Sequence, residues 1–421
     1  MLRKVMCYIL CIVCMLAVSC GEDANNSSQD KHTKPIISYR MYNSELPQNT
    51  YKALNFNEQK AIWISYIELD EMIKGKSEAK FKELFSEKMS KVRELGINTV
   101  YVHVRAFSDA YYSSELFCYA DSFGDNEFDA LEIMIDEAHR EGLSFHAWVN
   151  PMRCPSQSGI ERMAENCTIR EWYKNNYGDY VIKTSENPYL WLNPAHEVVR
   201  NFIIDGVCEI VSRYDIDGVH IDDYFYPTTD ESFDEIAFSK SNAENLASWR
   251  TENINALVSF MYANIKKVNS TVLFGISPQG NINNNTDSLY ADVYSWCEFD
   301  GFCDYIVPQV YFGYSNSSQP FMKVINKWNK MVSQNNKIKL IIGLGVYRIN
   351  DDAEFMNNTG IIAKQINDAY QLSEGYGVAL FDSKTIFDGT DRMNGELEQV
   401  KKMLPQLEKS KTYISSSKSN M

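Results

Sequence analysis

Asp217-Gly218-Val219-His220-Ile221-Asp222-Asp223-Tyr224-Phe225-Tyr226-Pro227 is the stretch from which the fold can be read. Side chains along a β-strand point to opposite faces in turn. Val219 and Ile221 suit a face packed on apolar helices. His220, Asp222 and Tyr224 then share the other face. In a parallel barrel one face of every strand meets the helices and the other looks toward the axis, so this strand predicts a polar group of residues pointing inward.

Seven further β-rich runs surround it. The eight predicted strands cover residues 61–67, 99–105, 144–150, 218–224, 272–277, 305–311, 339–346 and 377–382. Helical periodicity fills the gaps. Phe81, Leu84, Phe85, Met89, Val92 and Leu95 recur at helix spacing, and Gly96 then stops the helix. Asn193-Pro194 has the form of an N-cap followed by proline at the first helical position. Behind it runs an apolar stripe of Val199, Phe202, Ile203, Val207, Ile210 and Val211. Eight strand–helix alternations predict an α/β chain folded as a (β/α)8 TIM barrel over residues 58–410. It is longer than the usual ~250 residues. The excess falls at 151–193 and 226–245, giving long loops at the C-terminal face, where barrel enzymes build their sites.

The same alternation sorts the other strands. Ile62 and Ile64 face out, with Trp63 and Ser65 inside. Val100, Val102 and Val104 face out, leaving His103 and Arg105 inside. Phe145, Ala147 and Val149 face out, leaving His146, Trp148 and Asn150. Ile306, Pro308 and Val310 face out, leaving Gln309 and Tyr311. Polar and aromatic groups from five strands therefore converge. Aromatic faces stack on the C–H side of sugar rings, while amides and carboxylates bond hydroxyls. A polyhydroxylated ligand is the expectation.

Composition narrows the class. The chain has 421 residues, 44% hydrophobic and 13% aromatic, with a formal charge of −15. That balance excludes a disordered chain and gives no electrostatic footprint for nucleic acid. Arg3 and Lys4 precede an apolar run over residues 5–18 that has the shape of a secretory signal. It ends in Leu16-Ala17-Val18-Ser19-Cys20-Gly21, small residues before a cysteine, the pattern of a bacterial lipobox. The expected organisation is a lipoprotein signal peptide at 1–19, lipidated Cys20 and a polar tether through residue 57, the barrel at 58–410, and a Ser- and Lys-rich tail at 411–421. Such a chain is exported and held at a bacterial membrane by its lipid anchor alone. Gly21 follows Cys20 where Asp would favour inner-membrane retention, so the outer membrane is expected, at its periplasmic or cell-surface face. Of the six cysteines beyond the signal, Cys154 and Cys167 share a long loop and are the expected disulfide.

At this point the sequence resembles the glycoside-hydrolase-like family 10 lipoproteins. The resemblance rests on Asn187-Pro188-Tyr189-Leu190-Trp191-Leu192-Asn193-Pro194, the 217–227 segment, Ser277-Pro278-Gln279-Gly280 and Pro308-Gln309-Val310-Tyr311. It covers residues 58–350 and implies a barrel glycosidase acting on cell-envelope or related polysaccharide, with N-acetylhexosamine-containing, peptidoglycan-like glycan among the substrates. The 217–227 segment is also distantly similar to the chitinase family, glycoside hydrolase family 18, although Tyr224 stands where that family has its acid. It is similar to the amylase clan, which places a nucleophilic Asp where Asp222 falls.

Glycoside hydrolysis usually needs two carboxyl groups in different protonation states. Asp222 is the first candidate and Asp223 the second, provided the chain leaves strand geometry between them. Asp109, Glu231 and Asp382 are other acids at strand ends. Expected substrate-binding residues are Trp63, His103, Arg105, Trp148, Asn150, His220, Tyr224, Ser277, Gln309 and Tyr311. No cofactor and no metal are expected. Two alternatives stand beside this reading: a non-catalytic glycan-binding lipoprotein on the same barrel, and a metal-dependent hydrolase or deacetylase using His103, His220 and Asp222. No glycine-rich phosphate loop and no Gly-x-Ser-x-Gly elbow is present.

Overall fold

The computed structural model describes residues 48–405 and Leu407, apart from 176–178, 373–375 and 388. The signal stretch, Cys20, the tether up to residue 47 and the tail lie outside the described residues. Twelve strands occur among those described: β1 (Gln59–Ile64), β2 (Thr99–Arg105), β3 (Ser144–Val149), β4 (Arg153–Ser156), β5 (Val181–Lys183), β6 (Tyr189–Leu192), β7 (Gly218–Ile221), β8 (Leu273–Ile276), β9 (Tyr305–Ile306), β10 (Lys339–Leu340), β11 (Ile342–Gly345) and β12 (Gly377–Phe381).

Nine of them form one sheet in the order β10-β9-β8-β7-β3-β2-β1-β12-β11, with parallel pairing throughout. The two end strands are consecutive pieces of chain flanking Ile341. The Ile341 and Gly343 N–H groups bond the carbonyls of Ile306 and Pro308, both at 3.0 Å, which brings the sheet's ends together. The result is the (β/α)8 TIM barrel, with nine strands occupying eight positions.

Alternation divides the core in two. Ile62, Ile64, Val100, Val102, Phe145, Ala147, Val149, Val219 and Ile221 join the apolar layer under the helices. Ala61, Trp63, Tyr101, Trp148, Tyr305, Val307, Ile341 and Ala379 form a separate cluster inside the barrel. Small residues make room for these rings. A Cβ on Gly218 would lie 2.4 Å from the His146 ring, and one on Gly275 would lie 1.9 Å from the Tyr305 ring.

The 151–193 insertion folds into a three-stranded antiparallel sheet, β4-β6-β5, with short helices at Gln157–Arg162 and Thr168–Lys174. The disulfide joins Cys118 to Cys167, not Cys154 to Cys167. Cys118 comes from the loop after β2, whereas Cys154 sits on β4 with its thiol buried against Ser108. The helix expected to begin at Pro194 begins at Glu197, because Asn193 closes a turn onto the Ala195 N–H at 3.0 Å.

Residues 48–57, expected as the end of the tether, run along the barrel instead. Asn49 bonds the carbonyls of Val211, Tyr214 and Val268. Tyr51 Oη and the Leu54 N–H both donate to Asp217. Asp217 also accepts from the Phe145 N–H and pairs with His139 at 2.8 Å. It therefore ties down the N-terminal end of the barrel, the end away from Asp222.

Candidate active site

β7 ends at Ile221, and the Phe225 N–H then bonds the Asp223 carbonyl at 2.9 Å. The chain has left strand geometry, so neighbours in sequence no longer point to opposite faces. Asp222 and Asp223 both bring carboxyl groups to the C-terminal mouth of the barrel.

Their surroundings differ. Asp222 is 3% exposed. Trp148 Nε1 donates to its Oδ2 at 3.0 Å, and its Oδ1 has no hydrogen-bond partner among the described residues. Burial, then the adjacent charge of Asp223, pushes the Asp222 carboxyl well above the usual carboxylate range. The Arg153 charge, the Trp148 N–H and the Tyr224 backbone N–H oppose that push. Asp223 is half-buried and is also raised by burial, but Gln309 Nε2 donates to it at 2.9 Å and Gln279 also bonds it. Two amide donors favour the ionised form. Of the two, Asp222 is pushed further toward the protonated form, and Asp223 has the partners that suit a charge.

Arg153, which sequence reasoning missed, stands over this pair. It comes from β4, the first strand of the insertion. Its guanidinium carbon lies 4.0 Å from the Tyr224 ring centre, 4.2 Å from Phe107, 5.5 Å from Tyr189 and 5.6 Å from Tyr66. No periodic pattern marks it; an arginine two residues past Pro151 looks like any loop residue.

The expected binding residues fall into three groups. Tyr224, Gln309 and Tyr311 are half-buried at the mouth. Tyr311 stacks on Phe381, with ring centres 5.7 Å apart, and its hydroxyl feels the charges of Asp223, Asp382 and Asp222. His103 lies just beneath. Its Nδ1 accepts the Tyr66 N–H at 3.1 Å, and burial together with Arg153 keeps the ring neutral, so Nε2 carries the hydrogen.

The second group lies in the barrel interior, out of a ligand's reach. Trp63 Nε1 donates to His220 Nε2 at 3.1 Å. His220 Nδ1 reaches Tyr305 Oη at 3.2 Å, and that hydroxyl reaches His146 Nδ1 at 2.7 Å. Burial lowers both imidazoles, His146 to about 4. His220 thus serves Trp63 and Tyr305, and does not hold the Asp222 carboxylate as its shared face suggested. Residues two apart on a strand stand in successive layers, roughly 6–7 Å apart along the axis. Trp148 is 5% exposed, stacked on His103, and supports Asp222 rather than offering an open face. Asn150 and Ser277 are also enclosed; Asn150 Nδ2 donates to the Ala106 carbonyl at 2.7 Å, and Ser277 Oγ to the Val307 carbonyl at 2.8 Å.

Arg105 forms the third group and is a correction. The β2–β3 register shifts between His103 and Arg105, so the alternation inverts there. The Arg105 guanidinium points to the helices, bonding the Ile203 carbonyl at 3.3 Å and lying 4.5 Å from the Phe117 ring centre.

Of the remaining acids, Asp109 caps the Ala106 and Phe107 N–H groups, Asp382 accepts from the Thr385 N–H, and Glu231 is exposed on a separate turn. Among the described residues no cluster of three or more His, Cys, Asp or Glu is placed to hold a metal. The His103, His220 and Asp222 set is not one, since both His220 nitrogens are engaged within the core. Phe107 and Tyr189 also border a cavity of about 1010 Å³ lined by Asp70, Asp109, Asp121 and Asp125. Neither Asp222 nor Asp223 lines it.

Known proteins resemble the chain in sequence and fold. Glycosyl hydrolase YngK of Bacillus subtilis is 31% identical over 324 residues, 70% of this chain. The match spans 62% of that relative's length. Glycosyl hydrolase DigH of Escherichia coli K12 is 31% identical over 327 residues, 70% of this chain and 74% of the relative. The glycoside hydrolase domain of PgaB (BpsB) from Bordetella bronchiseptica shares the barrel at a TM-score of 0.55 and 11% identity, over 80% of this chain and 97% of that domain. Residues 58–358, which carry the carboxyl pair, Arg153 and seven of the eight barrel positions, match the family described as glycosyl hydrolase-like 10, and the chain belongs to that family.

Proposed function

We propose that the chain hydrolyses glycosidic bonds of a cell-envelope or related polysaccharide, with Asp222 as proton donor and Asp223 as the ionised partner. The observation that carries this reading is the pair itself: two carboxyl groups at the mouth of a barrel, one buried with an unbonded oxygen beside the Trp148 N–H and one held by two glutamine amides. In the reaction Asp222 gives its proton to the leaving glycosidic oxygen as the C–O bond breaks. Asp223 stabilises the positive charge that develops on the sugar, or activates the incoming water. Tyr311, Tyr224 and Gln309 flank the sugar. The relatives named glycosyl hydrolase support the reaction class, and a peptidoglycan-like glycan containing N-acetylhexosamine is the substrate we favour. We also infer that Cys20 is lipidated and anchors the chain to a bacterial membrane, supported by the signal and the small residues before it.

Product analysis on purified peptidoglycan strands and on a panel of α- and β-glucans tests the activity. Asp222→Asn keeps the shape but removes the transferable proton. It should lower the rate by at least ~10³, on the order of 4 kcal/mol, with substrate affinity little changed. A folded variant retaining more than about a tenth of the wild-type rate would remove Asp222 from the mechanism. A wild type that binds glycans and releases no product would turn the reading to a glycan-binding protein.

A further inference from the structure

Arg153 is a buried cation whose charge no described residue takes up in an ion pair. It is 5% exposed. The one hydrogen bond of its guanidinium among the described residues is a long one, from Nε to the Ala106 carbonyl at 3.4 Å. Asp222 and Asp223 feel its charge. No carboxylate oxygen among the described residues comes within 4.0 Å of the Arg153 guanidinium nitrogens. Buried charges in proteins are nearly always paired, since an isolated one carries a desolvation cost of several kcal/mol. The Tyr66, Phe107, Tyr189 and Tyr224 rings crowd around the guanidinium group. Its Nη edge, with four N–H donors in a fixed plane, has no acceptor among the described residues. That edge is not sealed either: the Nη atoms are not among the buried orphaned atoms, whereas the Asp222 Oδ1 nearby is.

A planar fork of donors matches a carboxylate in two parallel hydrogen bonds, and it does so better than the point charge of a lysine would. We propose that Arg153 forms a subsite for a carboxylate carried by the sugar bound beside the Asp222–Asp223 pair, so that acidic glycans are preferred over neutral ones. The proposal rests on the hydrolase reading for its location in the cleft, and it makes a separate demand on binding.

The test uses four probes: peptide-free peptidoglycan strands, whose carboxylate is on an ether side chain; polyglucuronate, whose carboxylate is on the ring; and the carboxyl-reduced form of each. Binding is measured by titration calorimetry on the Asp222→Asn protein, so that hydrolysis does not intervene. For at least one acidic glycan, reduction should weaken binding by about 30-fold, in the range of charge-assisted hydrogen bonds. Which glycan responds identifies where the carboxylate sits. Adding Arg153→Gln should bring the acidic and reduced forms within about two-fold of each other, which loss of packing alone would not do. Equal binding of both acidic glycans and their reduced forms overturns the proposal, and so does discrimination that persists in Arg153→Gln. The comparison of probes needs no change at Arg153, so it decides even if that variant misfolds. If the wild type discriminates in binding but cleaves none of the probes, the hydrolase reading fails and the Arg153 subsite stands.

Discussion

Asp222 and Asp223 show how much one residue of displacement matters. A single turn of backbone after Ile221 puts both acids at one mouth, and their neighbours then divide the labour. The Trp148 N–H and an empty lone pair surround one, and two glutamine amides hold the other. Asp109 offers a cleaner titration, because it is buried away from that pair. Burial pushes its carboxyl up to about 6, against the Ala106 and Phe107 N–H groups that favour its charge. Its folded pKa lies above the unfolded value of about 3.9, so the fold prefers the proton. Stability from this group is full below about pH 4 and is lost as pH rises through about 6. Asp109→Asn keeps an oxygen for both N–H groups and does not titrate. The variant should gain on the wild type by about 3 kcal/mol between pH 4 and 6, and then stay level. Urea unfolding of both proteins across that range checks it; a difference independent of pH would show that Asp109 titrates normally.

At the scale of elements, irregular backbone decides which side chains reach the site. The register shift in β2 turns Arg105 out to the helix Glu197–Arg213, where a Cβ on Gly206 would lie 2.2 Å from its Nη1. Strand β4 of the insertion does the reverse and carries Arg153 over the mouth. The loop after β7 is held by a different arginine. Arg250, fully buried on the helix Leu246–Val268, bonds Asp234 at 2.6 Å, the Asp230 carbonyl at 2.7 Å and Tyr290 Oη at 3.1 Å. Removing one partner of a buried pair leaves the other charge uncompensated. Arg250→Ala should cost about 3–5 kcal/mol, far more than a surface ion pair such as Lys80–Glu83. Denaturant midpoints measure it. A loss below about 1 kcal/mol would mean that the loop finds other partners.

At the scale of the whole molecule, the chain enters the barrel at the end opposite its mouth. Residues 48–57 pack beside the start of β7 and β8, where Asn55 Nδ2 also donates to the Thr271 carbonyl at 2.8 Å. The carboxyl pair lies beyond the other end of β7. The first described residues thus meet the barrel at the face away from the carboxyl pair. Cys20→Ala should leave unprocessed or mislocalised protein, read by membrane fractionation, while the purified barrel keeps its rate on soluble glycan. Normal membrane association of that variant would remove the anchor. Loss of rate in the soluble assay would contradict the separation of the two ends.

Binary pattern was enough to read the barrel. Apolar residues at period two, separated by helices at period 3.6, leave few other ways to bury both faces of eight parallel strands. It was also enough to put Asp222 at the barrel mouth, because a charged residue on the inner face at a strand's C-terminal end has nowhere else to go. It was not enough to rank the inward residues. Alternation gives a side chain's face and not its depth, so Trp63, His146 and His220 look the same in sequence as Tyr311, although only Tyr311 reaches the mouth. Nor can pattern foresee a register shift, which moved Arg105 to the other face, or a contact made by a long insertion. Arg153, the Cys118–Cys167 bridge and the partners that separate Asp222 from Asp223 all depend on loops whose paths are set by what they pack against. Strand faces are decided locally, by the geometry of successive residues. The electrostatics of the site are decided by groups distant in sequence, which only the closed barrel brings together.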